Sequence, residues 1–159
     1  MTIQGVQIKD LKLLSDERGQ LMEMLRSDDS IFKGFGQCYL TICNKGAVKA
    51  WHFHKEQTDN FVCISGKALV VLYDSRKDSP TFGNVLKFIL EEPSDKSSPI
   101  LLQIPSGITH GFTALDSEKA VILNIPDKVY NQKSPDEFRL PWNTDEVPFK
   151  WPDTVKAGG

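Results

Sequence analysis

Short segments with alternating or continuous apolar positions, separated by turn residues, run along most of the chain. They cover residues 5–14, 20–25, 36–43, 47–54, 60–64, 68–73, 85–90, 100–104, 111–115 and 120–125. Period-two alternation bounded by Gly, Pro, Asn, Asp and Ser is typical of β-strands. Residues 68–73 are apolar almost throughout, which favours a strand buried on both faces. About ten short strands predict a single β-sandwich or barrel.

The C-terminal region has a different pattern. Three prolines fall within residues 128–151, and few apolar positions there are periodic. A chain of 159 residues has an ordinary length for one domain. We therefore predict one domain over 1–159, in which 128–159 is an extended C-terminal tail that packs on the barrel.

Composition narrows the classes of partner. The formal net charge is −2, so the chain lacks a basic field for nucleic acid or anionic lipid. No apolar run approaches a membrane span, and residues 1–10 do not resemble a signal peptide. The chain has an odd number of cysteines, Cys38, Cys43 and Cys63, and all three lie among apolar residues. This pattern is typical of free thiols in a reducing compartment. These features predict a cytoplasmic protein, and the charge balance still allows a local basic pocket for one phosphorylated ligand.

Two segments, 46–66 and 105–112, contain all three histidines of the chain. His52 and His54 are two residues apart, so on a strand both side chains point to one face. Asp59 begins the next predicted strand, and a Pro/Gly turn precedes His110. Three imidazoles and one carboxylate are a workable ligand set for a divalent transition metal.

These segments resemble the signature of the cupins. The matching positions are Gly46, His52, His54, Asp59 and Gly66, followed by Pro105, Gly107 and His110. The resemblance implies an all-β jelly-roll barrel, the double-stranded β-helix. For the metal-binding cupins it also implies Fe, Mn, Ni or Zn on His52, His54, Asp59 and His110, although Asp59 stands where Glu is usual.

Most of the chain also resembles the dTDP-4-dehydrorhamnose 3,5-epimerase family, a cupin-type barrel that works without metal. The matching pieces are residues 16–19, Glu23, Gln37, residues 49–52, Gln57, residues 74–76, 79–83 and 104–112, Tyr130 and residues 151–152. The resemblance implies an isomerase acting on a 4-keto-6-deoxy sugar nucleotide without a cofactor, with His52 as general base. His54 and Tyr130 are its further candidate catalytic residues, and the candidate substrate-binding residues are Arg18, Glu23, Gln37, Lys49 and His110.

Several positions depart from the family pattern. Lys49 stands where an Arg is usual, and Asp59 falls where the family has an enolate-stabilising Lys. Asn124 falls on or beside the position of the catalytic Tyr, which leaves Tyr130 as the nearest phenol. The carboxylate that orients the base is expected beyond the final Trp-Pro, where this chain offers Asp153.

Three hypotheses for the function therefore stay open. The first is a metal-free nucleotide-sugar epimerase or isomerase, which the whole-chain resemblance favours. The second is a metal-dependent cupin enzyme with a three-His, one-Asp site, and the third is a sugar-binding cupin without catalysis. The pair His52 and His54 also resembles sugar-nucleotide 3,4-ketoisomerases, which use two barrel histidines without a metal. Barrels of this type commonly pair through edge strands, so we predict a homodimer.

Overall fold

The computed structural model describes residues 1–159 and is built from strands and loops. The strands are β1 (Gln7–Asp10), β2 (Leu13–Asp16), β3 (Gly19–Met22), β4 (Tyr39–Asn44), β5 (Ala47–Phe53), β6 (Asp59–Asp74), β7 (Val85–Glu91), β8 (Ile100–Ile104), β9 (Ile108–Ala114), β10 (Lys119–Asn124), β11 (Phe138–Arg139) and β12 (Ala157–Gly158). The predicted all-β class is confirmed. A helix that is long and apolar enough to cross a membrane does not occur.

Two antiparallel sheets share the long strand β6 and enclose the core. The first has the order β1-β8-β6-β10-β4, and the second has the order β7-β6-β9-β5 with β11 and β12 on the free side of β5. Strands β2 and β3 form a separate two-stranded hairpin. The cavity described below is lined by residues of β4, β5, β6, β9 and β10.

Strand β6 corrects the prediction of two strands at 60–64 and 68–73. The backbone continues through the predicted turn, and only the pairing partners change. Residues before Gly66 pair with β8 and β10, and residues after it pair with β7 and β9. Gly66 has a φ of +76°, and a Cβ there would lie 2.0 Å from the Lys119 carbonyl oxygen. The glycine therefore marks a bend from one sheet into the other.

Both faces of β6 are buried, which explains its nearly continuous apolar sequence. Phe61 and Val70 point into the main core between the sheets. Val62 packs under the N-terminal segment with Leu11, whereas Val71 packs under the C-terminal tail. Each outer sheet face thus has its own small core.

The C-terminal tail is bound to β5 through backbone pairing and aromatic packing. Phe138 and Arg139 of β11 stand opposite Phe53 and His52, and the Phe138 and Phe53 rings stack with centroids 5.1 Å apart. Strand β12 adds a short parallel pairing to the start of β5. This attachment brings residues 128–139 to the mouth of the barrel, where they form a wall of the cavity.

Candidate active site

A cavity of about 890 Å³ lies at one end of the barrel. Strand residues form its inner walls, and the tail forms the outer one through Lys128, Val129, Tyr130, Asn131, Ser134, Pro135, Asp136, Glu137, Phe138 and Arg139. Its volume is in the range of small-molecule sites. The tail therefore belongs to the binding site as well as to the packing of the barrel.

A β-bulge in β5 determines which side chains enter the cavity. Two residues, Ala50 and Trp51, stand where β9 has only Gly111, so the pairing register shifts by one. Lys49 and His52, three residues apart, consequently both line the cavity. A Cβ on Gly111 would lie 2.3 Å from the Ala50 Cβ, so glycine is needed for this close approach.

His52 is a mostly buried imidazole in the wall of the cavity. Its Nε2 is buried and has no hydrogen-bond partner. Its Nδ1 lies 3.6 Å from Glu137 Oε1, which is longer than a normal hydrogen bond. Burial, followed by the proximity of His110, lowers the pKa of His52 to about 4 despite the opposing charge of Glu137. At neutral pH this imidazole therefore has a lone pair that can accept a proton.

His54, Asp59 and His110 form a second group in the same cavity. The Nε2 atoms of His54 and His110 lie 3.4 and 3.5 Å from Asp59 Oδ2. Each Nδ1 faces a backbone carbonyl, that of Asp136 for His54 and that of Ile108, at 3.0 Å, for His110. Burial lowers the pKa of His110, although the charge of Asp59 opposes that shift. The three side chains present their ligating atoms to one another.

Two amides fix the carboxylate of Asp59. Gln57 Nε2 and Asn124 Nδ2 each donate to Asp59 Oδ1 at 2.8 Å. The Asn124 amide also donates to the Tyr39 hydroxyl at 2.9 Å. Tyr39 is 40% exposed, and its partial burial, together with the charges of Asp59 and Glu137, raises its pKa to about 12. Tyr39 therefore stays protonated and keeps its own O–H available for donation.

The structure brings most of the predicted site residues together. The predicted residues that line the cavity are Gln37, Lys49, His52, His54, Asp59, His110 and Tyr130. Three of the four predicted metal ligands converge, namely His54, Asp59 and His110. The fourth, His52, is not part of that group. Tyr130, predicted as a catalytic residue, lies on the outer wall and is half exposed.

Arg18 and Glu23, predicted to hold the nucleotide, do not line this cavity. Arg18 follows β2 in the separate hairpin, where its side chain is 83% exposed and pairs with Asp16. Glu23 follows β3 and pairs with Arg26. The hairpin pairs with no strand of the barrel, and within one chain neither residue reaches the cavity wall.

The carboxylate beside His52 is Glu137, not the expected Asp153. Asp153 is exposed and absent from the cavity wall. Glu137 immediately precedes β11, in which Arg139 stands opposite His52, and its carboxylate also accepts from Arg139 at 2.7 and 2.9 Å. In the sequence, this carboxylate was signalled by two adjacent acids, Asp136 and Glu137, in a tail whose apolar positions show no period.

Asp136 clamps the tail to the turn after β5. Its carboxylate accepts the backbone N–H groups of Lys55, Glu56 and Gln57 at 2.8, 2.8 and 3.0 Å. Burial alone raises the pKa of Asp136, but these three donors outweigh burial and hold that pKa below its usual range. Its carbonyl also accepts the Nδ1–H of His54. One residue thus connects the cavity's outer wall to a site histidine.

We expect Asp136→Ala to loosen both segments that the carboxylate joins. Loss of the three charge-assisted hydrogen bonds should lower the free energy of unfolding by about 1–3 kcal/mol. Amide deuterium exchange should rise in peptides covering 54–58 and 128–137 and stay unchanged in β10. Asp145→Ala, at an exposed position on the tail, is the control. Unchanged exchange in Asp136→Ala would show that other contacts hold the wall.

Comparison with known proteins places this arrangement in a family. Residues 1–157 match the family model described as dTDP-4-dehydrorhamnose 3,5-epimerase. The chain is 37% identical to the spore coat polysaccharide biosynthesis protein SpsL of Bacillus subtilis, over 94% of this chain and 96% of that protein. It is also 37% identical to the probable low-salt glycan biosynthesis epimerase Agl13 of Haloferax volcanii, over 94% of each.

A solved structure agrees with the sequence relatives. The dTDP sugar isomerase from Desulfovibrio desulfuricans G20 superposes with a TM-score of 0.86 and 33% identity, covering 94% of this chain and 92% of that one. The prediction of a cupin jelly-roll barrel is confirmed.

Proposed function

The chain belongs to the dTDP-4-dehydrorhamnose 3,5-epimerase family, and from that premise we propose that it epimerises a dTDP-linked 4-keto-6-deoxy sugar. The observation that carries the proposal is the imidazole of His52, which is neutral and buried in the wall of the cavity and has no partner at Nε2. Removal of a proton from a carbon next to a keto group is a step that a positioned, neutral histidine can catalyse. The proposed reaction is therefore an isomerisation that begins with removal of one proton.

In the first step, His52 Nε2 takes the proton from the carbon beside the keto group. The electrons of the broken C–H bond move into an enolate, and His52 becomes an imidazolium. Glu137, 3.6 Å from Nδ1, then stabilises the new positive charge, as a carboxylate does for a histidine base. The carboxylate interacts more strongly with the charged imidazolium than with the neutral imidazole. It therefore stabilises the state after proton transfer more than the starting state.

An acid on the opposite face of the sugar then returns a proton to the carbon. We assign this role to Tyr39, because Asn124 holds its hydroxyl and the phenol stays protonated. Tyr39 stands directly opposite Asn124 in the β4–β10 pairing, so the two side chains share one side of the wall. The phenol thus comes from β4, beside the position where the family pattern places a Tyr.

The cavity also offers groups for the nucleotide diphosphate. Lys49 lies beside His52 through the β5 bulge, and Lys128 and Arg139 come from the outer wall. Cationic side chains are the usual partners of phosphate oxygens. Gln37 supplies an amide at the same cavity. We propose that these groups hold the diphosphate while the sugar reaches His52.

Deuterium wash-in tests the proposal directly. The protein is incubated in D₂O with a dTDP-linked 4-keto-6-deoxyhexose, and the sugar is analysed by NMR. Incorporation next to the keto group with inversion supports epimerisation, and a positional shift of the keto group points to a ketoisomerase. Binding without incorporation points to the non-catalytic sugar-binding hypothesis. Tyr39→Phe should still exchange but invert more slowly, whereas Tyr130→Phe should resemble the wild type if Tyr39 is the acid.

The exchange rate should be nearly constant between pH 5.5 and 7.5. A base with a pKa of about 4 is already neutral throughout this interval, and its activity is lost only as the pH falls towards 4. An ordinary imidazole, with a pKa near 6.5, would lose most of its activity between pH 7.5 and 5.5. The measurement is kcat/KM for wash-in against pH, and a fall centred near 6.5 would contradict the burial of His52.

The proposal includes a homodimer built on β4. This strand pairs on one side with β10 and has a free edge on the other. Its Leu40 and Ile42 are 54% and 49% exposed, and an unpaired apolar edge of this kind is normally covered. Arg18 and Glu23 could then serve a cavity only as residues from a second copy. Light scattering should give about twice the 17.9 kDa chain mass, and a monomer would contradict this.

We also propose a cytoplasmic location, supported by the thiols. Cys43 and Cys63 are buried and free, and Cys38 is exposed and free. Free thiols in such numbers suit a reducing compartment. Fractionation of cells that produce the protein at its natural level checks this.

A further inference from the structure

The carboxylate of Glu137 has two competing partners at the same oxygen atom. Arg139 Nη2 and Nε donate to Glu137 Oε1 at 2.7 and 2.9 Å, so the guanidinium binds this single oxygen through two N–H groups. His52 Nδ1 faces the same oxygen at 3.6 Å, beyond the normal hydrogen-bond distance. Arg139 therefore holds the carboxylate, and His52 does not.

Strand pairing places the three side chains next to one another. Arg139 of β11 stands opposite His52 of β5, and Glu137 is two residues before Arg139 in the chain. Residues two apart on an extended segment point to one side. The neighbouring backbone is fixed, because Trp51 and Leu140 exchange two N–H to carbonyl hydrogen bonds at 3.0 and 3.1 Å. Glu137 can therefore change its partner by side-chain rotation alone.

Arg139 is also placed to meet a ligand. Its side chain is 62% exposed, whereas those of Glu137 and His52 are 23% and 20% exposed. It lines the cavity in which the proposed substrate binds. Guanidinium groups bind phosphate oxygens through paired N–H groups, and a diphosphate carries more negative charge than one carboxylate. A diphosphate that enters the cavity therefore competes with Glu137 for Arg139.

We propose that the diphosphate of a bound nucleotide binds Arg139 in place of Glu137 and so releases the Glu137 carboxylate to His52 Nδ1. The identity of the ligand rests on the proposed function. Arg139 is then a positioning residue, which acts on the base through Glu137. Before binding, a guanidinium next to the base opposes formation of an imidazolium. After binding, the carboxylate accepts the Nδ1–H of His52 and keeps the lone pair on Nε2.

This exchange of partners makes the strength of the base depend on the nucleotide. A ligand shifts a two-state equilibrium only when it binds one state more tightly, and the diphosphate binds the state in which Arg139 is free. The linkage is reciprocal, so weakening the Glu137–Arg139 pair must tighten diphosphate binding. A sugar without the diphosphate leaves the carboxylate on Arg139. The chain thereby favours catalysis on the nucleotide-linked sugar over the free sugar.

Equilibrium binding of dTDP, measured by calorimetry, tests the linkage. Glu137→Gln should tighten binding at least about 5-fold, because the amide no longer competes for the guanidinium. Arg139→Gln should weaken binding about 10–100-fold, and adding Glu137→Gln to it should then have no further effect. Glu56→Gln, which removes another carboxylate of the cavity wall, should keep an affinity close to that of the wild type. Equal tightening by Glu137→Gln in both backgrounds would reduce the effect to plain charge and overturn the proposal.

NMR of the histidine side chains detects the change of partner without any turnover. The chain has three histidines, and His52→Gln identifies the Nδ1–H signal of His52 by its loss. Adding dTDP should move this signal downfield in the wild type, because a charge-assisted hydrogen bond to the carboxylate forms. Arg139→Gln should show the moved signal without dTDP. A merely structural role of Arg139 predicts neither shift.

The two measurements separate this inference from the proposed function. If dTDP binds but leaves the His52 signal in place, the inference fails, whereas deuterium wash-in would still support epimerisation. If dTDP moves the signal and Glu137→Gln tightens binding, but the sugar gains no deuterium, the inference holds and the proposed epimerisation fails. A chain that binds no dTDP refutes both. The wild-type titration gives its answer even if a variant fails to fold.

Discussion

His52→Gln should lower the rate of deuterium wash-in by about 10²–10⁴-fold, the usual contribution of a general base. Glutamine fills a similar volume and can still contact Glu137, but its amide cannot accept the proton from carbon. Every other group in the cavity remains, so the substrate should bind as before. The loss should therefore appear in kcat, with KM changed little.

Wash-in kinetics and equilibrium binding of dTDP, measured together, separate chemistry from binding. Lys49→Gln is the matched control, because it changes a neighbouring cavity residue on the same strand. We expect it to weaken dTDP binding and raise KM while leaving most of kcat. If His52→Gln exchanges as fast as the wild type, His52 is not the base, and His54 becomes the next candidate.

The histidines could be predicted from the sequence because their positions follow simple rules. His52 lies in β5 and His54 one residue beyond the end of that strand, and a Pro/Gly turn delivers His110 at the start of β9. The structure brings all three to one cavity. Local patterns of this kind hold because strand alternation and turn chemistry depend on neighbouring residues alone.

Other parts of the site depend on long-range pairing, which no local pattern reveals. Glu137 reaches His52 because β11 pairs with β5 across more than eighty residues of chain. The inward direction of Lys49 depends on a bulge that strict alternation does not predict. Likewise, Gly66 was correctly predicted to mark a change of direction. The strand nevertheless continues through it, because β8 and β10 pair with the residues before it and β7 and β9 with those after it.

The group formed by His54, Asp59 and His110 shows how the two kinds of information combine. The spacing of the signature predicts four ligands, including His52. Tertiary contacts separate them, because Glu137 approaches His52 while Asp59 approaches His54 and His110. The four residues of the motif are therefore divided between His52 and a group of three, and different chemistry is expected of each.

Trp51→Ala should lower the free energy of unfolding by about 3–5 kcal/mol, as for other large buried side chains. Trp51 is fully buried in the small core between the second sheet and the tail. Its ring lies 4.9 Å from that of Trp151 and 6.2 Å from that of Phe149, both on the tail. Removing it leaves a cavity where the tail is fastened, next to His52 in the sequence.

Urea unfolding of Trp51→Ala and Trp51→Phe tests this account. The indole Nε1–H of Trp51 is buried without a hydrogen-bond partner, which costs stability in the wild type. Phenylalanine removes that unpaired donor and keeps most of the apolar contact, so we expect a much smaller loss than with alanine. Trp51→Ala should also lower wash-in, because the loosened tail carries Glu137 and the outer wall. A stable Trp51→Ala protein with normal wash-in would show that backbone pairing of β11 with β5 is enough to hold the site.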